Sequence, residues 1–148
     1  MFNNETPKIL IIEDDANNHP LYRKAFEDAG FEVLISDNAD GNFADAVVAL
    51  QPDIISMDLM IGKAGKAAER DGFEAIEVLK SDERTKAVPI MVASNFFQEE
   101  KIARARELGV NDYFNLQGHA LSEIAGRFKE YVENPKKYTP SHPTFQSI

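Results

Sequence analysis

Short apolar runs alternate with amphipathic stretches along most of this chain. The first run, residues 9–12, is continuous, as is typical of a strand buried on both faces. After a polar turn, apolar residues recur at the spacing of one helix face from Leu21 to Ala29. Pro20 suits a first helical turn and Gly30 a helix end. This part of the chain therefore predicts one strand followed by one helix.

The same unit recurs four more times along the chain. Predicted strands cover residues 31–35, 54–57, 90–93 and 113–114, and predicted helices cover residues 43–50, 72–79, 99–108 and 120–132. Alternating strands and helices predict an α/β fold, a doubly wound (βα)5 domain with a five-stranded parallel sheet. In such sheets ligands bind beyond the carboxyl ends of the strands, so functional residues are expected there.

The pattern stops after Asn134. Residues 135–143 contain three prolines, which predict an extended segment without a regular element. A length of 148 residues suits a single domain. We therefore assign residues 1–133 to one domain and residues 134–148 to an extended C-terminal tail.

Charge and composition narrow the function classes. The chain has 16 basic and 25 acidic residues, a balance that disfavours direct binding to nucleic acid or to an anionic membrane. It has no cysteine, which excludes disulfides and thiolate sites. Residues 1–6 lack the apolar segment of a signal peptide, and no apolar run reaches the ~20 residues of a membrane span. We expect a soluble, cytoplasmic protein.

Acidic residues follow the predicted strands. Glu13 and Asp14 follow the first strand, Asp58 follows the third, and Ser94 ends the fourth. Carboxylates that converge on one edge repel each other and require a cation or raised pKa values. Oxygen ligands of this kind suit Mg²⁺, and a metal beside a carboxylate neutralises an incoming phosphoryl group and makes that carboxylate a usable nucleophile. The sequence thus predicts a magnesium site with phosphoryl-transfer chemistry.

Each of these residues also has an ordinary interpretation. An isolated acidic residue or serine after a strand is more often a turn former or a helix cap. We assign that role to Asp15, Asn17 and Asn18. His19, His142 and the pair Phe96-Phe97 have no partners at metal or stacking spacing, and we assign them to cap, tail and helix-packing roles.

Four segments together resemble the receiver domains of bacterial response regulators. They are the first strand with its acidic pair, the phosphoacceptor strand, the fourth strand ending in Ser or Thr, and the turn into the fifth strand: residues 9–15, 52–60, 89–94 and 107–113. The similarity extends from about Lys8 to Val132, and it implies a flavodoxin-like fold.

The resemblance also implies roles for individual residues. Asp58 would accept a phosphoryl group from a sensor histidine kinase or a phosphotransfer protein. Asp14, Asp58 and the Met60 backbone carbonyl would bind Mg²⁺, and Glu13 would act through water.

Ser94 and Tyr113 would form the switch pair, with Ser94 moving toward the phosphoryl oxygens and Tyr113 turning inward. Helix four, strand five and helix five would contact a downstream protein target or a second copy in a homodimer. Two bulky residues, Met60 and Phe96, occupy the positions that tune hydrolysis of the phosphorylated Asp58 in the family, and they predict a long-lived phosphoryl state.

Two departures from the family pattern stand out. Leu116 and Gln117 occupy the positions of the usual strand-five Lys-Pro, so a cation that would bind the phosphoryl group is missing. The connection after the third strand is longer than in the family, and its surplus within residues 61–71 contains three basic residues. The ordinary interpretation is a mobile, solvated loop. The alternative hypothesis is that Lys63 or Lys66 contacts the phosphoryl group in place of the absent lysine.

Three functions remain to be compared. A phosphorylated receiver is favoured by the acidic residues and Ser94, whereas a pseudo-receiver that only binds partners is favoured by the lost lysine. A magnesium phosphohydrolase ranks last, because Asp58-Leu59-Met60 lacks the second acid that such enzymes place on the same strand. We do not expect an enzyme.

Overall fold

A computed structural model describes residues 6–61 and 69–146. Its parallel strands are β1 (Lys8–Ile12), β2 (Glu32–Ser36), β3 (Ile54–Met57), β4 (Ile90–Ser94) and β5 (Asp112–Asn115). Its α-helices are α1 (His19–Asp28), α2 (Phe43–Leu50), α3 (Gly72–Lys80), α4 (Glu99–Glu107) and α5 (Leu121–Glu133). The strand order β2-β1-β3-β4-β5 and the alternation of elements confirm the predicted fold.

Two apolar clusters cover the two faces of the sheet. Leu10 and Ile12 of β1 point to the cluster that includes residues of α2, α3 and α4, whereas Ile9 and Ile11 point to the cluster of α1 and α5. All residues of β3 and β4 are buried. This double burial explains why these strands are continuous apolar runs, since each buried large side chain contributes about 1.5–3 kcal/mol.

The element ends differ from the predicted ones by one or two residues. Helix α1 stops at Asp28, and Gly30 follows with a φ of 103°, a conformation that favours glycine. Helix α2 spans Phe43–Leu50 as predicted. Within the described residues, no helix has the length and apolar character needed to cross a membrane.

A short regular element follows the stretch 135–143, for which none is predicted, and it begins at the last residue of that stretch. Pro143–Phe145 is a 3₁₀ helix in which proline occupies a first-turn position that needs no N–H. The His142 ring caps this helix by accepting the Thr144 N–H at 3.1 Å. The division into a domain at residues 1–133 and a tail at residues 134–148 stays a prediction.

Candidate functional site

Three carboxylates meet at the edge formed by the strand C-termini. Strands β1 and β3 are neighbours, with Ile12 opposite Met57, so the residues that follow them are brought together. One oxygen each from Glu13, Asp14 and Asp58 lies within 4.8 Å of the others. Glu13 is 3% exposed, Asp14 is 6% exposed, and Asp58 is half-buried. The structure thus assembles the acidic group that the sequence predicts.

The carboxylates of this group oppose one another's ionisation. Burial raises the pKa of Asp58 from 3.8 to about 7, and the charges of Glu13 and Asp14 add to the effect. The Met60 N–H, which donates to Asp58 Oδ1 at 3.0 Å, acts in the opposite direction. Burial also raises the pKa of Glu13. A divalent cation would offset this repulsion, and a set of carboxylate oxygens fits Mg²⁺.

The turn after β1 holds Glu13 in place. Its carboxylate accepts the Asp15 N–H at 3.0 Å, and its carbonyl oxygen lies 2.6 Å from His19 Nε2. Asp15 also accepts the Asn17 N–H at 2.9 Å and caps a 3₁₀ helix that leads into α1. Asn18 precedes α1 in the N-cap position, although its side chain makes no capping hydrogen bond. The capping role predicted for Asp15 is therefore confirmed.

Tyr22 is a site residue that the sequence pattern did not reveal. It belongs to the apolar face of α1 and is buried. Burial raises the pKa of its hydroxyl, and the charges of Glu13 and then Asp58 raise it further. The hydroxyl therefore stays protonated beside the acidic group.

Ser94 and Tyr113 lie on the neighbouring strands β4 and β5 and both bind the backbone of Phe96. Ser94 ends β4, is fully buried, and accepts the Phe96 N–H at 3.0 Å. Tyr113 lies opposite Val92 in the sheet and is 1% exposed, and its hydroxyl donates to the Phe96 carbonyl. Burial raises the pKa of Tyr113 to about 12, a hydrogen bond with Ser94 lowers it, and the charge of Asp58 raises it. Tyr113 thus lies inward in this structure.

Phe97 and His142 have aromatic partners that sequence spacing did not reveal, and their rings meet edge to face. The Phe97 ring lies 5.9 Å from the Tyr113 ring and 5.4 Å from the His142 ring. Phe97 precedes α4, which begins at Glu99, and it is therefore a loop residue rather than a helix-packing one. Sequence spacing could not show these contacts because they join distant parts of the chain.

Helix α3 begins against the backbone of the acidic site. The Gly72 N–H donates to the Leu59 carbonyl at 3.1 Å. A Cβ at position 72 would lie 2.5 Å from the Asp58 carbonyl oxygen, too close for any other residue without a backbone shift. Asp71 caps the helix in a reciprocal pair with Glu74. Glycine at this position therefore lets α3 support the loop that carries Asp58.

The long connection after β3 is attached to the loop after β2. The Arg70 guanidinium donates to the carbonyls of Ala39 at 2.7 Å and of Gly41 at 2.9 Å. Lys63 and Lys66, the proposed replacements for the missing lysine, lie outside the described residues.

Leu116 occupies the position of the absent lysine. Its N–H donates to the Ser94 carbonyl at 3.0 Å, and its side chain packs against the cluster of α1 and α5. A cleft of about 240 Å³ lies beside it, lined in part by Tyr22, Asn95 and His119. The structure therefore places an apolar side chain at this position.

Fold and site together define a doubly wound α/β domain with an acidic group at the C-terminal edge of its parallel sheet. The model of the response regulator receiver domain matches residues 9–117. The chain belongs to this family and is a receiver domain of a two-component response regulator. Receiver domains interact with histidine kinases and downstream effectors.

Two curated relatives are longer than this chain. The DNA-binding dual master transcriptional regulator RpaA of Synechocystis is 35% identical over 108 residues, which are 72% of this chain and 42% of the relative. The phosphate regulon transcriptional regulatory protein PhoB of Pseudomonas aeruginosa is 31% identical over 121 residues, 82% of this chain and 49% of the relative. The chain thus spans less than half the length of these two relatives.

Solved structures support the fold. The signal receiver domain of a DNA-binding response regulator from Colwellia psychrerythraea has a TM-score of 0.71 at 23% identity, covering 86% of this chain and 99% of that one. The receiver domain of the sensor histidine kinase PA1611 from Pseudomonas aeruginosa has a TM-score of 0.72 at 18% identity, covering 88% and 100%. In the latter, a magnesium ion is coordinated in the active-site cleft.

Replacing Asp58 by Asn is expected to raise the free energy of unfolding in metal-free buffer at about pH 8 by about 1–3 kcal/mol. Folding raises the pKa of Asp58 from 3.8 to about 7. The contribution of the protonated Asp58 side chain to the free energy of unfolding is therefore full below pH 3.8 and is lost as the pH rises through about 7. The introduced amide does not ionise, so the variant avoids this loss. Urea unfolding with and without Mg²⁺ measures the difference, and Mg²⁺ should stabilise the native chain more than Asp58→Asn.

The exposed substitution Asp28→Asn is the control, since Asp28 pairs with Lys24 on the surface of α1. It should change the stability by less than about 0.5 kcal/mol. Equal changes in stability for Asp58→Asn and Asp28→Asn at this pH would contradict a raised pKa of Asp58 in the folded chain.

Proposed function

We propose that this domain is a phosphorylation-controlled switch that accepts a phosphoryl group on Asp58 and signals through protein contacts. The observation that carries the proposal is the convergence of Glu13, Asp14 and Asp58 within 4.8 Å at the edge of the sheet. The donor is the phosphohistidine of a sensor histidine kinase or of a phosphotransfer protein, in keeping with the partners of the family. The compartment is the cytoplasm.

The transfer requires Asp58 as a carboxylate. One carboxylate oxygen attacks the phosphorus, the P–N bond to the donor imidazole breaks, and the imidazole leaves with the electron pair and takes up a proton. Bound Mg²⁺ supplies positive charge that offsets the repulsion between the incoming phosphoryl oxygens and the acidic group. Because the pKa of Asp58 is about 7 in the metal-free chain, proximity to the cation also favours its ionised form.

The proposed metal ligands are Asp14, Asp58 and the Met60 carbonyl, with Glu13 acting through water. The Met60 N–H already binds Asp58, so the loop that would supply the carbonyl has a defined conformation. Similar structures of other receiver domains hold Mn²⁺ or Mg²⁺, which supports divalent metal binding in the family.

Ser94 and Tyr113 are the proposed switch pair. They lie on the neighbouring strands β4 and β5, and both contact the backbone of Phe96. Movement of Ser94 toward the phosphoryl oxygens would therefore act on the loop after β4 and on Tyr113. The face of α4, β5 and α5 would transmit the change to a downstream protein or to a second copy.

A second candidate function is that of a pseudo-receiver, a protein-interaction module that is never phosphorylated. The observation that favours it is the packing of Leu116 into the cluster of α1 and α5, where the family has a lysine. The pseudo-receiver needs none of the acidic chemistry, so phosphoryl transfer separates the two functions.

The native chain is expected to take up labelled phosphate from a phosphohistidine donor in the presence of Mg²⁺. Asp58→Asn should abolish this uptake because the amide is not a nucleophile, and chelation of Mg²⁺ should abolish it as well. Asp53→Asn is the matched control, since Asp53 lies at the other end of β3 and accepts the Lys8 N–H. Absence of uptake by the native chain would establish the pseudo-receiver instead.

The phosphoryl group on Asp58 is expected to persist for minutes or longer, because Met60 and Phe96 hinder the attacking water. Phe96→Ala should accelerate the loss of label by about tenfold, equivalent to about 1.4 kcal/mol in the barrier. A chase of the labelled protein measures both rates, with Gln98→Ala in the same loop as the control. A native lifetime of only seconds would contradict the prediction.

Replacement of both Lys63 and Lys66 by Ala is expected to slow uptake from a small phosphodonor by about tenfold, as charge-assisted hydrogen bonds to the phosphoryl group are lost. The double substitution of Lys136 and Lys137 by Ala removes the same charge from the C-terminal segment and is the control. Unchanged uptake and lifetime would show that the two loop lysines do not replace the absent one.

A further inference from the structure

The C-terminal segment, residues 134–146, packs back onto the face formed by α4, β5 and α5. Its 3₁₀ helix, Pro143–Phe145, contacts α4, and Phe145 packs against the cluster of α2, α3 and α4. Tyr138 packs against the opposite cluster, and its ring lies 5.3 Å from that of Tyr131 in α5. The segment therefore contacts both sides of the edge strand β5.

A buried carboxylate anchors this segment. Asp112 begins β5 and is fully buried. It accepts the Tyr138 hydroxyl at 2.5 Å, the Ser141 N–H at 2.7 Å and the His142 N–H at 3.1 Å, in addition to the Tyr113 N–H at 2.8 Å. Removal of the segment would take away three of these four hydrogen bonds. The hydrogen bonds to Asp112 therefore favour docking of the segment.

Arg127 of α5 provides a second attachment. Its guanidinium lies 4.5 Å from the centre of the Tyr138 ring. It donates to the Ser141 hydroxyl at 3.1 Å and to the Thr139 carbonyl. The segment is thus held by α5 as well as by β5.

The segment also reaches the proposed switch residue. Phe97 bridges the two, since its ring contacts Tyr113 on one side and His142 on the other at 5.9 and 5.4 Å. The Tyr113 hydroxyl donates to the carbonyl of Phe96, the residue next to Phe97. His142 in turn contacts the Phe145 ring at 6.1 Å. Docking of the segment therefore supports the loop that holds Tyr113 inward.

We infer that residues 134–146 are an intramolecular ligand of the α4-β5-α5 face that holds Tyr113 in its inward position. A target protein or a second copy that binds this face must displace the segment. Coupling of this docking to phosphorylation rests on the proposed function. If phosphorylation of Asp58 also favours the inward Tyr113, docking and phosphorylation stabilise each other by the same factor.

Docking is tested with a single introduced fluorophore. The chain has no tryptophan, so Phe145→Trp provides a unique probe. In that background, Tyr138→Ala combined with His142→Ala is expected to increase acrylamide quenching by about twofold or more, because the segment opens locally. Lys137→Ala is the control. The Lys137 side chain is exposed, and the hydrogen bond of this residue to the Asn134 carbonyl comes from its backbone N–H, which the substitution keeps. Equal quenching in both variants would overturn docking.

The hold on Tyr113 is tested without any phosphoryl group. Fluorine NMR of protein labelled with 3-fluorotyrosine reports on the ring, and Tyr113→Phe assigns its resonance. His142→Ala, which changes one half-buried side chain, is expected to shift or broaden the Tyr113 resonance, whereas Lys137→Ala should not. An unchanged resonance in His142→Ala would overturn the hold on Tyr113.

Coupling to phosphorylation is tested with beryllofluoride and Mg²⁺ as the phosphoryl analogue. Combining Tyr138→Ala with His142→Ala should weaken its binding by about fivefold relative to Lys137→Ala. Equal binding in these variants would overturn the coupling while leaving the proposed function intact. Absence of binding by the native chain would overturn both the coupling and the proposed function. The quenching and NMR experiments would still test docking of the segment and its hold on Tyr113.

Discussion

The parallel pairing of β1 with β3 is the constraint on which the site depends. It places the carboxylates that follow the two strands within 4.8 Å of each other, in surroundings that raise the pKa of Asp58 to about 7. Helix α3 adds to this constraint, because Gly72 lets it begin against the Asp58 backbone. The sheet therefore assembles a group of acids whose mutual repulsion a bound cation would offset.

The sequence predicted the sheet and the acidic group for related reasons. Strands buried on both faces are continuous apolar runs, and the ends of parallel strands meet at one edge, so Glu13, Asp14 and Asp58 could be placed together from their order alone. Neither step needs knowledge of side-chain packing. Receiver-domain membership, which the resemblance predicted, is confirmed by the match over residues 9–117.

Contacts between distant parts of the chain could not be predicted in this way. Asp112 is one acid within an ordinary strand, and three of its four hydrogen bonds come from residues that follow α5. The prolines of that segment suggested an extended tail, yet Pro143 begins a 3₁₀ helix. The Phe97 ring contacts the rings of Tyr113 and His142 edge to face, and both residues are far from it in sequence. These contacts depend on where the chain packs after α5. The local periodicity of apolar residues carries no information about that.

Asp58 and Asp112 show two solutions to the cost of enclosing a carboxylate. Asp112 is fully buried and receives hydroxyl and N–H groups from the chain itself, so the protein satisfies its charge internally. Asp58 receives the Met60 N–H and faces two further acids, so its charge is best satisfied by a cation from outside. Tyr113 lies next to Asp112 in β5, and the charge of Asp58 contributes to the raised pKa of its hydroxyl. Adjacent residues of one strand thus bind the C-terminal segment and respond to the charge of the acidic group.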